Sequence, residues 1–326
     1  MASLGPLVAY LPTPRNDAGT LQIPQLQNLT QNALVAGANS IAVLGSVGGA
    51  SYMPRSMRKR VIAAAAEVIG GQVPLVAGVS ALTTAEAQAN VTEANAAGAS
   101  VALLAPMSYE PLTESEVFGL YRDVTGQESL PVCVYNNPRT TRYRFTPTEL
   151  SNLAQLQGII GFKDVVSSPW LIRTRLEAAQ EGLTDKQIAS LDWGFSGDRY
   201  GAEILGVGAD SWHSGLAGVL PKPFVRLAQL AGQQNDPDAQ QEAAALSRAL
   251  TPIAVIAMRY GTIRVAHTIV RLTGSGDFWT PEPLLPLAPE VQGLISAALS
   301  SLESALTAAA PEEPKRYRAR RAAHRG

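Results

Sequence analysis

The segment Leu7-Val8-Ala9-Tyr10-Leu11-Pro12-Thr13-Pro14 carries the first apolar run of the chain, and its reading decides the fold. The run does not alternate between apolar and polar residues, as expected of a strand buried on both faces of a parallel sheet. A dinucleotide-binding sheet would follow such a strand with Gly-x-Gly-x-x-Gly, whose bare backbone approaches a phosphate. Pro12-Thr13-Pro14 cannot supply that backbone. Working outward, similar runs recur at 41–44, 75–77, 101–104, 132–135, 159–162, 191–195 (the weakest) and 210–213. About eight βα units at a spacing of roughly 25–35 residues favour a closed (β/α)8 TIM barrel over a doubly wound sheet.

Helix signals fall between the runs. Thr83-x-x-Glu86, Thr113-x-x-Glu116 and Thr146-Pro147-x-Glu149 read as capping boxes, the last with proline at the first helical position. Gly37, Gly98 and Gly208 read as helix stops just before a strand. Three segments result: a barrel over residues 1–220, a helical region over 221–310 packed on it, and a basic tail over 311–326. The tail contains Lys315-Arg316-Tyr317-Arg318-Ala319-Arg320-Arg321 and is either a solvated, disordered terminus or a contact for acidic partners.

Composition excludes several classes of function. The 326 residues are 46% hydrophobic and carry a net charge of −1, which gives no electrostatic case for binding nucleic acid. The single cysteine, Cys133, excludes an internal disulfide framework. With only three dispersed histidines, His213, His267 and His324, no metal centre is expected. Neither a signal peptide nor a membrane span is legible, so the expected setting is the cytoplasm.

In a barrel, chemistry sits at the C-terminal ends of the strands. Ile159-Ile160-Gly161-Phe162 runs into Lys163, which is either an amine made nucleophilic by burial or a lysine that snorkels or pairs with Asp164. Tyr135 ends the fifth run, as a proton carrier or as a core aromatic. Gly45-Ser46-Val47-Gly48-Gly49 is either an anion cradle or a tight turn. Ser196-Gly197-Asp198 is a weaker candidate. His213, at the end of the eighth run, either contacts a second substrate or product, or is a hydrogen-bonded structural residue. His267 is expected to be structural.

In order and spacing, Gly45-Ser46-x-Gly48, Tyr135-Asn136-x-Pro138, Gly161-x-Lys163 and Ser196-Gly197-Asp198 resemble the dihydrodipicolinate synthase / N-acetylneuraminate lyase family. Pro12-Thr13-Pro14, Ala105-Pro106 and Ile263-x-Val265 add to the resemblance, which extends over about Leu7 to Ala309. It implies a lyase in which Lys163 forms an imine with pyruvate or a related 2-oxo acid and Tyr135 transfers protons. Ser46 and the N–H of Val47 would hold the carboxylate, and Gly48 and Gly197 would also line the substrate site. It implies no metal or organic cofactor, an aldehyde as second substrate, and a homo-oligomer, either a dimer or a tetramer built from dimers.

Four departures bear on that implication. The threonine of the synthases' proton relay is replaced by Val47, and the loop acid by Gly49. The arginine that grips the aldehyde's carboxylate is replaced by Thr140, flanked by Arg139 and Arg142. The tyrosine that completes the relay across the dimer interface corresponds to Ser108, with Tyr109 next to it. These changes leave imine formation intact and argue for a second substrate other than aspartate semialdehyde. Genuine 4-hydroxy-tetrahydrodipicolinate synthesis and a non-catalytic 2-oxo-acid binder are the alternatives.

Overall fold

The computed structural model describes residues 3–127, 130–165, 168–276 and 278–309. The expected basic tail lies outside them. Eight parallel strands close into a barrel in sequence order: β1 (Leu7–Tyr10), β2 (Ser40–Val43), β3 (Leu75–Gly78), β4 (Val101–Leu104), β5 (Val132–Tyr135), β6 (Ile159–Val165), β7 (Asp192–Ser196) and β8 (Ser211–Ser214). Around it run α1 (Ile23–Ala36), α2 (Arg55–Ile69), α3 (Thr84–Ala96), α4 (Glu114–Thr125), α5 (Pro138–Thr141), α6 (Pro147–Ala154), α7 (Trp170–Gln180), α8 (Asp185–Ala189) and α9 (Gly201–Gly206). After β8 come α10 (Pro221–Ala231), α11 (Pro237–Tyr260), α12 (Thr262–Leu272) and α13 (Pro289–Ala309). This is the (β/α)8 TIM barrel with additional C-terminal helices that the sequence implied. Among the described residues, no helix is long and apolar enough to cross a membrane.

Local signals explain most of the boundaries. At Thr113–Glu116 and Thr146–Glu149 both halves of the capping box form. At Thr83 only half does: Thr83 Oγ1 accepts from the Glu86 N–H at 3.2 Å. A further box forms at Thr184–Gln187, ahead of α8. Gly37 ends α1 in the left-handed region at φ 94°, a conformation that costs glycine little.

Strand residues alternate between two cores. Val8, Ala42, Val76, Val101 and Cys133 belong to an interior cluster, while Leu7, Ile41, Leu75, Ala102 and Val132 pack toward the helices. β6 breaks this rule. Val132 pairs with Ile159 but Cys133 pairs with Gly161, so β6 spends two residues where β5 spends one. Ile160 joins the interior cluster, and Phe162 stacks outside on Trp193 with ring centroids 4.7 Å apart. Strict alternation from Ile160 would turn position 163 outward; the register shift turns it back into the barrel. The strand also continues through Lys163 to Val165, so the lysine lies within it rather than at its end.

The β2–α2 connection needs equally close fitting. Leu44 takes a left-handed φ of 60°, a strained conformation for a branched side chain. Its carbonyl oxygen lies 1.9 Å from where a Cβ on Gly78 would stand. Glycine at the end of β3 is therefore what lets the loop of Ser46 approach the barrel. Gly78→Ala is expected to lower stability by about 2–4 kcal/mol, seen as a lower urea midpoint at unchanged slope. A midpoint equal to that of the wild type would contradict this close approach.

Candidate active site

Lys163 sits at the centre of the barrel at 5% exposure. Its backbone pairs with Tyr135 on one side and Gly194 on the other. Nζ lies 3.4 Å from the centroid of the Tyr10 ring and 4.2 Å from that of Tyr135. Asp164 points the other way, accepts from Asn136 Nδ2 at 2.6 Å and pairs with Arg175. Among the described residues no salt bridge engages Lys163, so the pairing with Asp164 considered from sequence does not form. Burial lowers its ammonium from the usual 10.5 to about 7, against the opposing influence of Cys133 and Asp198. Such an amine is partly unprotonated near neutral pH and able to attack a carbonyl.

Tyr135, at the end of β5, brings its hydroxyl within 3.3 Å of Ser46 Oγ. Asn137, which opens α5, donates from Nδ2 to that Ser46 oxygen at 3.1 Å. The serine keeps one proton of its own, free to go to the Tyr135 oxygen or to a bound ligand. Burial raises the Tyr135 phenol above its usual value, and the Ser46 bond works in the opposite direction. The loop is tied down from the opposite side, where Thr13 Oγ1 donates to the Gly48 carbonyl at 2.8 Å. Gly49 N–H turns back onto the Gly45 carbonyl at 3.1 Å. Among the described residues the N–H of Val47 has no hydrogen-bond partner. Free donor and hydroxyl at adjacent residues suit a carboxylate.

The turn after β7 contributes Asp198, which accepts from Ser214 Oγ at 2.6 Å and from Leu216 N–H at 3.2 Å. The Gly197 carbonyl accepts from Trp212 Nε1 at 3.2 Å. Val47 and Thr262 both approach Gly215, so the start of α12 leans over the barrel mouth. His213, at 2% exposure, is enclosed inside the barrel with both ring nitrogens engaged. Nδ1 lies 2.8 Å from Tyr10 OH and Nε2 lies 3.0 Å from Ser211 Oγ.

The remaining candidates stand farther out. Arg139 donates to the Met258 carbonyl at the end of α11, 3.3 Å away. Thr140 is exposed and donates from Oγ1 back to the Asn137 carbonyl at 3.3 Å. Ser108 is half-buried and Tyr109 is 90% exposed. His267 donates from Nδ1 to the Ile263 carbonyl of its own helix, 2.7 Å away. Sequence reading singled out neither Tyr10 and Asn137 nor the buried Asp192 and Ser211. A signal was present for the buried pair, because polar residues interrupt the seventh and eighth runs.

An amine, a phenol and a loop with a free N–H and a hydroxyl thus converge on one end of a closed barrel, an arrangement suited to carbonyl chemistry. The family model for the dihydrodipicolinate synthetase family matches residues 3–302. A 4-hydroxy-tetrahydrodipicolinate synthase of Stenotrophomonas maltophilia is 31% identical over 229 residues, covering 70% of this chain and 74% of the relative. The crystal structure of a dihydrodipicolinate synthase from Agrobacterium tumefaciens superposes with a TM-score of 0.86 at 33% identity, covering 92% of this chain and 98% of that one. A prophage protein of the same family from E. coli K12, solved in complex with pyruvate, shares the fold at a TM-score of 0.83 and 22% identity, with 92% and 98% covered. The chain belongs to the dihydrodipicolinate synthetase family and is a lyase of its class I aldolase type.

Proposed function

We propose that Lys163 condenses with pyruvate or a closely related 2-oxo acid, and that the resulting nucleophile adds to an aldehyde or is released by the reverse cleavage. The observation that carries this reading is the buried, ion-pair-free amine flanked by Tyr135. Nζ attacks the 2-oxo carbon, and water leaves to give a protonated imine. That cation accepts the electron pair of the adjacent C–H or C–C bond as it breaks. Tyr135, hydrogen-bonded to Ser46, is placed to move the proton to and from the oxygen lost as water. Ser46 Oγ and the N–H of Val47 hold the carboxylate, with Gly48 letting the loop turn tightly beneath it. The pyruvate complex of the E. coli relative supports the 2-oxo acid in this reading.

Val47 offers no hydroxyl to a relay. Asn137 instead orients Ser46, which leaves a two-residue path from Ser46 to Tyr135. At the mouth, Thr140 carries no charge for a second carboxylate, and Arg139 is turned toward Met258. Both features favour an aldehyde other than aspartate semialdehyde. A homo-oligomer, dimer or tetramer, in the cytoplasm fits the same reading, with Ser108 and Tyr109 at the surface where a partner subunit would meet the site.

Incubation with pyruvate and borohydride is expected to add a reduced pyruvyl group to Lys163, located by intact and peptide mass. Absence of an adduct with pyruvate and with a panel of 2-oxo acids would falsify the imine. Stability carries an independent signature. Because the folded-state lysine titrates near 7 and the unfolded one near 10.5, its burial penalty is complete below about pH 7 and disappears as pH rises to 10.5. Lys163→Met should therefore melt at a higher temperature than the wild type at neutral pH, with the gap closing toward pH 10.5. A gap that stays constant with pH would contradict the burial argument. Thr140→Arg is expected to raise turnover of aspartate semialdehyde with pyruvate at least several-fold; no gain would count against Thr140 as the cause of altered specificity.

A further inference from the structure

Below Lys163 the barrel interior is polar where branched apolar side chains would ordinarily fill it. Asp192 opens β7 and accepts from the Leu4 N–H at 3.2 Å and from Ser211 Oγ. Ser211 Oγ lies 3.0 Å from His213 Nε2, and His213 Nδ1 lies 2.8 Å from Tyr10 OH. All four side chains are buried, Asp192 at 5% exposure being the most open. Room for the Ser211–His213 contact depends on Gly194, where a Cβ would stand 2.2 Å from Ser211 Oγ and 2.4 Å from His213 Nε2. Four polar groups in so small a space would cost several kcal/mol if unpaired; here each is satisfied by the next.

The hydrogens have one consistent direction when Asp192 is ionised. Ser211 donates to the carboxylate, so its oxygen is free to accept from Nε2–H of a neutral His213. Nδ1 is then the acceptor for Tyr10 O–H. Burial and the neighbouring Lys163 charge both hold His213 neutral, and burial raises the Asp192 carboxyl to about 6, so the arrangement is the one present near pH 7. The chain ends at a phenol that leans its negative charge back onto its own ring. That ring, not the hydroxyl, faces Lys163 Nζ, 3.4 Å from the centroid. The chain therefore has no route for passing a proton to the amine. Its effect on the amine is electrostatic and orientational.

Resting on the imine reading above, we infer that Tyr10 is the positioning residue of Lys163: its ring is a platform for the cationic nitrogen, ammonium or protonated imine. His213, Ser211 and Asp192 fix that ring and enrich its face. The cation over a buried aromatic face is favoured relative to the neutral amine, which offsets part of the desolvation that lowers the lysine. The groups facing Nζ are Tyr10 from β1, Cys133 and Tyr135 from β5, His213 from β8 and Asp198 from the turn after β7. Of these, Tyr10 is the nearest aromatic face, and the chain behind it belongs to neither the carboxylate loop nor the Tyr135–Ser46 pair.

The test is a titration of Lys163 by NMR with 13C-labelled lysine, the signal being assigned by its loss in Lys163→Met. Tyr10→Leu, which removes the platform, is expected to lower the titration midpoint by about 0.5–1.5. Tyr10→Phe and Asp192→Asn keep ring and volume while breaking or neutralising the chain, and each is expected to lower it by a few tenths. These two decide the matter if Tyr10→Leu does not fold. A midpoint that is unchanged or raised in the folded variants overturns the platform, whatever happens to their melting temperatures, because a merely structural role would move only the latter. The titration needs no 2-oxo acid. A midpoint that falls in a protein giving no borohydride adduct sinks the imine reading alone; an adduct with a midpoint indifferent to Tyr10 sinks the platform alone.

Discussion

A primary amine held inside a closed sheet is the constraint from which the rest of the site follows. Water is excluded there, so the charged form of Lys163 loses its solvation and the neutral form gains ground near pH 7. Hydrogen-bonded pairing with a carboxylate would undo that gain by restoring the charge. The neighbouring carboxylate on β6, Asp164, is kept on the outer face by Arg175. The strand that carries Lys163 thus separates it from the carboxylate next to it in sequence by the alternation of side chains.

Alternation alone would have failed, since Ile160 also points inward. The register shift between β5 and β6 is what allows Ile160 and Lys163 to share the interior while Phe162 stacks on Trp193 outside. A bulge of this kind re-aims one side chain at the cost of one regular pairing. The Leu44–Gly49 loop is shaped by comparable compromises. Leu44 is strained, Gly78 gives up its side chain, and Thr13 anchors the Gly48 carbonyl. Irregularities therefore gather around Ser46 and Lys163, while the strands between them stay regular.

The barrel was legible from its doubly apolar runs because a parallel sheet covered by helices permits little else. The convergence of Lys163, Tyr135 and Ser46 was legible too, since each follows or ends such a run. Three things were not. The Asn137–Ser46 bond depends on a loop conformation that no local pattern encodes. The register shift leaves no mark in Ile159-Ile160-Gly161-Phe162, which reads as an ordinary buried strand. Most of all, the polar chain from Asp192 to Tyr10 joins residues as far as 203 positions apart. Taken singly, Tyr10 looked like part of an apolar strand, Asp192 like a weak spot in one, and His213 like a residue at a strand end. Only closure of β8 against β1 turns them into one object.

That object bears on how such a barrel divides its labour. The amine and the phenol sit on strand residues, Lys163 and Tyr135, whose direction the sheet and its register shift set. Substrate choice can sit in the loops and at the mouth, where Thr140 and Arg139 are exposed and a change of charge alters nothing in the core. Tuning of the buried amine belongs to neither layer. It can come from below, through interior side chains that touch no substrate yet set the electrostatics under the amine. Tyr10 and His213 occupy that third position, and Gly194 leaves the room that Ser211 and His213 fill. In this protein the floor of the barrel is therefore as much a part of the site as its rim.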